Sequence, residues 1–269
     1  MATAVLDQSR RNSSDLAVPA EQARCYAEDG YLILRAFFKP EQIRPALEES
    51  EGLLRRAELI NTENLRCRWQ TDVRNGECIF ECFDPVADLS PACGSLATDP
   101  RLLATLGNLY GEEACLFKDK LIFKPAGAKG YGLHQDYIAW PTFPRSFLTV
   151  LVPLEHADEN NGCTEIFAGY HKNGCLSVED GEYHELPTDI VDPARSVMLK
   201  LSAGDIAIFS GFTPHRSAPN TSERSRRQLY LSYNAFSDGG HQRDRHYAEF
   251  LAWLRKKYAE YGKTNVWFR

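Results

Sequence analysis

Phe147-Leu148-Thr149-Val150-Leu151-Val152-Pro153 is a continuous apolar run, relieved only by one threonine. A run of this length closed by proline is the mark of a strand buried on both faces. Shorter segments of the same kind surround it. Upstream, residues 116–123 alternate, with Lys118, Lys120 and Ile122 on one face. Downstream, Asn161-Gly162 reads as a turn and residues 164–167 as a strand. Residues 197–201, the turn Gly204-Asp205 and residues 206–209 read as a hairpin. Residues 228–236 alternate Leu229, Leu231 and Tyr233. Helical spacing appears outside this block, over residues 20–28, from Pro40, over residues 100–110 and over residues 244–261. Residues 60–95 show no clear period. Helices, then seven or eight short strands, then a helix predict a mainly β fold with flanking helices, a β-sandwich or jelly roll. Residues 1–18, rich in Ser, Asn, Arg and Asp, are expected to form a disordered tail. Residues 19–269 are expected to form a single domain.

Composition narrows the function classes. Of 269 residues, 43% are hydrophobic and 25% charged, so a sizeable core is available. Net charge is -6 with both signs mixed along the chain, so no basic face for nucleic acid is expected. The absence of eighteen consecutive apolar residues argues against a transmembrane helix. The first twenty residues lack an apolar signal-peptide core, and a cytoplasmic location is the expectation. Eight cysteines sit at irregular intervals without a CxxC pair, so they are expected to be reduced thiols.

The sharpest local feature is Leu133-His134-Gln135-Asp136. In an extended segment, residues two apart share a face, so His134 and Asp136 can grip one ion together. His215, in Gly211-Phe212-Thr213-Pro214-His215, follows the predicted strand 206–209 and can supply a third ligand. Two histidines and one carboxylate leave three coordination positions open, the arrangement of non-haem iron oxygenases. Arg226 stands eleven residues beyond His215, where its guanidinium can clamp a carboxylate in bidentate fashion. Ser217, two after His215, shares its face and can donate a hydrogen bond. Arg227 is expected on the opposite face of the strand from Arg226. Gln135, Tyr137 and Trp140 follow the first histidine and are expected to line a substrate pocket. With Lys118 and Lys129 near the entrance, that pocket would suit a small anionic or zwitterionic molecule.

Taken together, these motifs resemble the phytanoyl-CoA dioxygenase family of Fe(II)/2-oxoglutarate-dependent oxygenases. The likeness runs from Asp29-Gly30-Tyr31-Leu32-Ile33-Leu34 to about Phe236. It is carried by Lys124-Pro125, Leu133-His134-Gln135-Asp136, Glu159-Asn160-Asn161-Gly162-Cys163, Gly169-Tyr170-His171-Lys172, Ala203-Gly204-Asp205 and His215-Arg216-Ser217-Ala218-Pro219-Asn220, followed by Arg226. The resemblance implies a double-stranded β-helix of the jelly-roll, cupin-like kind. It implies iron ligands at His134, Asp136 and His215, 2-oxoglutarate contacts at Arg226 and Ser217 with Lys120 bordering them, and O2 as oxidant. The implied reaction hydroxylates a small molecule and releases succinate and CO2. Relatives that halogenate replace the metal carboxylate with a small residue; Asp136 is retained, which favours hydroxylation. Where members read Gly-Ser-His this chain has Gly169-Tyr170-His171, a difference expected to shape the site entrance. Desaturation or epoxidation on the same centre, and a non-catalytic jelly-roll binding protein, are the alternatives. The protein is expected to be a monomer or homodimer, since the tail helix carries Phe250, Leu251, Trp253 and Leu254.

Overall fold

The structure, a computed structural model, describes residues 5–7, 20–140 and 142–262. Helix α1 (Ala20–Asp29) stops at Gly30, whose φ of 77° suits glycine. Strand β2 (Tyr31–Arg35) follows directly. Helix α2 (Pro40–Leu54) opens on a proline with no N–H to lose and buries Ile43, Ala46 and Leu53. Ser90 caps α3 (Pro91–Ala97) and Asp99 caps α4 (Pro100–Tyr110), each side chain accepting from backbone N–H groups of the first turn. Strand β1 (Val5–Asp7) pairs parallel with β2. It falls within the stretch expected to be a disordered tail. The edge of β2 offers it a row of backbone donors and acceptors. The rest of residues 1–18 lies outside the described residues.

Two sheets form the body. The larger has the order β1-β2-β10-β7-β12-β5-β4-β3, with β3 (Cys67–Thr71), β4 (Cys78–Phe83), β5 (Ala114–Lys124), β7 (Leu148–Pro153), β10 (Ile206–Ser210) and β12 (Arg226–Ala235). The smaller has the order β6-β11-β8-β9, with β6 (Tyr131–His134), β8 (Thr164–Phe167), β9 (Ser196–Met198) and β11 (His215–Ser217). The expected hairpin over residues 197–209 is not formed. β9 pairs with β8 in the smaller sheet, whereas β10 pairs with β2 and β7 in the larger. The Gly204-Asp205 turn carries the chain between sheets. The Asp205 carboxylate anchors it by accepting from Ser202 N–H and from Arg35.

The larger sheet separates two cores. Leu32, Leu34, Val150, Val152, Leu229 and Leu231 pack with Ile43, Leu53, Leu102 and Leu106 of the helices. Each such aliphatic side chain contributes roughly 2 kcal/mol through burial. On the other face Ile33, Leu151, Ala207 and Phe209 meet Ile166 of the smaller sheet and Cys163 just before β8. Helix α5 (Arg243–Tyr261) buries His246, Tyr247, Phe250 and Leu254, so its apolar stripe faces inward. Among the described residues, no helix is long and apolar enough to cross a membrane.

Candidate active site

At one end of the space between the sheets, apolar packing gives way to charge. His134 ends β6 and His215 begins β11, and antiparallel pairing sets the two directly opposite each other. Their ring centroids lie 4.2 Å apart. Asp136 lies just beyond β6, and its Oδ1 is 3.7 Å from His215 Nε2. One donor atom from each of His134, Asp136 and His215 falls within 4.8 Å of the other two. Each ring is oriented by its remaining nitrogen. His134 Nδ1 lies 2.8 Å from Gly132 O, and His215 Nδ1 lies 3.0 Å from Thr213 O. Both Nε2 atoms are thereby left to act as ligands, the tautomer that metal-bound histidine uses. Across the gap, Thr149 of β7 donates to Asp136 Oδ2 at 2.7 Å.

Electrostatics favour the deprotonated forms that metal binding requires. Burial and the adjacent His215 bring His134 down to about 3, so it is neutral at physiological pH. Burial opposes ionisation of Asp136. His215, Lys120, His134 and the Thr149 hydroxyl together outweigh it and hold the carboxyl down at about 2. Two neutral imidazoles and a carboxylate on one side of a gap fit a divalent iron with open positions.

A pocket lined by Lys120, Tyr131, Thr164, His215, Ser217 and Tyr230 adjoins the triad. Alternation along β12 puts Arg226, Gln228 and Tyr230 on one face. Arg226 is 1% exposed, and its Nη1 donates to Gln228 Oε1 at 2.5 Å. Arg226 Nε and Gln228 Nε2 are buried and have no hydrogen-bond partner among the described residues. Buried donors of this kind are costly unless a ligand meets them, and a carboxylate is the natural acceptor for a guanidinium. Ser217 Oγ accepts from Lys124 Nζ at 3.0 Å and from Tyr131 N–H at 3.3 Å, which leaves its own proton to donate elsewhere. Gly162 makes this close packing feasible. A Cβ there would stand 2.2 Å from Ala218 O and 2.7 Å from Lys124 Nζ. Arg227 points the other way, as alternation requires, and pairs with Glu155 at 2.8 Å.

Gln135, Tyr137 and Trp140 do not line this site, contrary to the expectation from sequence. Strand β6 stops at His134, so alternation fails beyond it. Gln135 is instead a clamp. Its Nε2 donates to Gly174 O and Phe212 O, and its Oε1 accepts from Leu176 N–H. Tyr137 is buried among Phe117, Phe143 and Phe147. Trp140 packs on Phe250 and Trp253 and donates to Gly181 O. The cavity beside the triad is walled by Arg68, Glu81, Asp84, Lys118, Lys120 and Tyr183. Three of these lie on or beside β3 and β4, where the sequence showed no period. The available signal was a single charge inside each apolar strand, Arg68 in Cys67-Arg68-Trp69 and Glu81 in Phe80-Glu81-Cys82.

The model of the phytanoyl-CoA dioxygenase family matches residues 26–228, which take in the triad and Arg226. The chain belongs to that family. It is an Fe(II)/2-oxoglutarate-dependent dioxygenase, with Fe(II), 2-oxoglutarate and O2 as its cofactors. A 2-aminoethylphosphonate dioxygenase from uncultured bacterium HF130_AEPn_1 is 27% identical over 225 residues, 81% of this chain and 82% of that protein. A methylphosphonate hydroxylase from Gimesia maris is 31% identical over 169 residues, 63% of this chain and 62% of that protein. The fold is similar to that of EctD from S. alaskensis, solved with 2-oxoglutarate and 5-hydroxyectoine. The TM-score is 0.66 at 20% identity, covering 87% of this chain and 84% of that one. The double-stranded β-helix expected from the resemblance is the architecture of this dioxygenase.

Proposed function

We propose that His134, Asp136 and His215 hold the iron of this dioxygenase and that Arg226 holds the distal carboxylate of 2-oxoglutarate. Ser217 donates to the same carboxylate, and Lys120 borders the bound co-substrate. The observation that carries the reading is the pairing of a cluster of three potential ligands within 4.8 Å with a buried guanidinium whose Nε has no partner among the described residues. When bound, iron, 2-oxoglutarate and O2 supply the oxidising chemistry, with succinate and CO2 as co-products. The chain's residues place and orient. Thr149 fixes the carboxylate of Asp136, the Gly132 and Thr213 carbonyls fix the two imidazoles, and Gln135 clamps the segment that joins two ligands. The substrate is a small metabolite in the cavity walled by Arg68, Glu81, Asp84 and Lys118, and the reaction is hydroxylation of an unactivated C–H bond.

The test is succinate formation by anaerobically iron-loaded protein given 2-oxoglutarate and O2, with and without candidate small metabolites. Turnover is expected to vanish in His134→Ala and in Arg226→Ala, and the product is expected to gain one oxygen. Succinate formation that persists in both variants would remove the triad and the clamp from the mechanism. A product lacking two hydrogens would replace hydroxylation with desaturation.

A further inference from the structure

A second group of metal-ligating side chains lies outside the active site. Glu113, Cys115 and His241 each offer one donor atom, and the three atoms fall within 4.8 Å of one another. His241 Nε2 is 3.3 Å from Glu113 Oε1. The cluster sits where β5 begins and β12 has ended, at the opposite end of β5 from Lys124. Lys120, which lines the pocket beside the triad, is five residues further along β5 than Cys115, roughly 17 Å at the rise of a strand. The two clusters are therefore separate sites.

The backbone holds the three donors together. Cys115 pairs with Asn234 in the ladder between β5 and β12, and it is 1% exposed. Phe236 N–H donates to Glu113 O at 2.9 Å, which ties the loop after β12 to the residue before β5. Glu112 accepts from the N–H and the hydroxyl of Ser237 at 2.8 and 2.6 Å. Asn234 Nδ2 donates to the carbonyls of Asp238 and Gly240 at 3.2 and 3.1 Å, and this clamp fixes the loop that carries His241. Gly239 and Gly240 make the loop possible, with φ of 102° and 63°. The side chains of Glu113 and His241 are 59% and 69% exposed, so they are free to close on an ion beside a cysteine that the sheet holds still. An exposed carboxylate–imidazole pair alone contributes little. A thiol within reach of both changes the chemistry. Sulfur, nitrogen and oxygen donors together suit zinc, whose bonds of roughly 2.0–2.3 Å set tetrahedral ligands about 3.5 Å apart. The pair at 3.3 Å already has that spacing. Glu112 and Glu113 also place negative charge beside the thiol, which favours a cation there.

We propose that Glu113, Cys115 and His241 form a second metal site, which takes zinc(II) with water as its fourth ligand. Binding forms bonds to the ion from Sγ, a ring nitrogen and a carboxylate oxygen. The thiol proton passes to solvent, and nothing is oxidised or reduced. The thiolate selects zinc over hard cations such as magnesium and calcium. The bound ion ties the start of β5 to the loop that leads into α5, away from the oxygen chemistry.

The experiment titrates the full chain anaerobically with Co(II), the spectroscopic stand-in for zinc, and then displaces it with zinc. A thiolate bound to Co(II) gives an intense near-ultraviolet charge-transfer band, which two histidines and a carboxylate do not produce. The band is expected in the wild-type chain and in His134→Ala, and it is expected to vanish in Cys115→Ser. His241→Ala changes an exposed loop side chain, where folding is not at stake. It is expected to weaken Co(II) at this site at least about tenfold, the loss that even an outer-shell partner causes. Chelator competition should count one zinc ion fewer in Cys115→Ser than in the wild type. Iron affinity should stay within about twofold in that variant, since distant sites act independently. A wild-type chain without the band, a band that survives Cys115→Ser, or one lost in folded His134→Ala overturns the proposal. Unchanged Co(II) affinity in His241→Ala does the same.

Discussion

The two faces of β12 are equally hidden from water and chemically opposite. One face carries Leu229 and Leu231, each 0% exposed, packed against the helices. The other carries Arg226 and Gln228, each 1% exposed, turned towards the smaller sheet. The apolar face is complete in itself. The polar face holds an Arg226 Nε and a Gln228 Nε2 that find no acceptor among the described residues. Burial therefore does not distinguish structural from functional positions here. Satisfaction of hydrogen bonds does, because the incomplete face is the one that gains from a ligand.

The largest effect that tests this contrast is on the apolar face. Leu231→Ala is expected to destabilise the fold by roughly 3 kcal/mol in denaturant unfolding, with 2-oxoglutarate affinity within about twofold of the wild type. A comparable loss of 2-oxoglutarate affinity would dissolve the distinction between the faces. Arg226→Met is expected to do the reverse. Calorimetry should show 2-oxoglutarate affinity about a hundredfold lower. The ligand-free protein should melt no earlier than the wild type, since an uncompensated buried cation has been removed.

Glu81 extends the comparison to the neighbouring wall. Its carboxyl sits at about 7 in the folded chain against an ordinary 4.5. Between those values the folded chain holds a proton that the unfolded chain has lost. Its contribution is therefore complete below about pH 4.5 and lost as pH rises through about 7. The expected decline across that window is on the order of 2 kcal/mol in the ligand-free protein. Denaturant midpoints of Glu81→Gln measured from pH 4.5 to 8 should lack it; an identical slope in variant and wild type would assign the decline to other groups. The smallest effect is at Asp136, the carboxylate proposed to hold iron. Thr149→Val removes one hydrogen bond to Asp136, about 1 kcal/mol, and iron affinity measured by chelator competition should fall about fivefold. No change would mean that Asp136 is positioned by the backbone alone.

Much of this organisation is legible in the sequence, because hydrophobic periodicity reports burial. The run at residues 147–153 became β7, and residues 100–110 became α4 with its Asp99 cap and Gly111 stop. His134 and Asp136 were readable as neighbours by spacing, and the structure sets His215 opposite the first of them. Arg68, Glu81 and Asp84 were missed because a buried charge breaks the alternation that identifies a strand. The same departure that marks a lined cavity hides it from a periodicity argument. Gln135, Tyr137 and Trp140 were misplaced for a related reason: period two was carried past the end of β6, where the chain turns out towards α5. The false hairpin at residues 197–209 shows that a turn signal specifies a change of direction and leaves the pairing partner open.

The opposition of His134 and His215 has a consequence for the architecture of the chain. The two residues are about eighty positions apart in sequence, yet they face each other across a sheet whose strands are three or four residues long. So short a sheet has few backbone bonds with which to hold its alignment, and a slip of one residue would turn His215 away from His134. An ion gripped by both would behave as a removable crosslink, closing a long loop in the manner of a disulfide. The centre that activates oxygen would then also pin the strand register on which its own geometry depends.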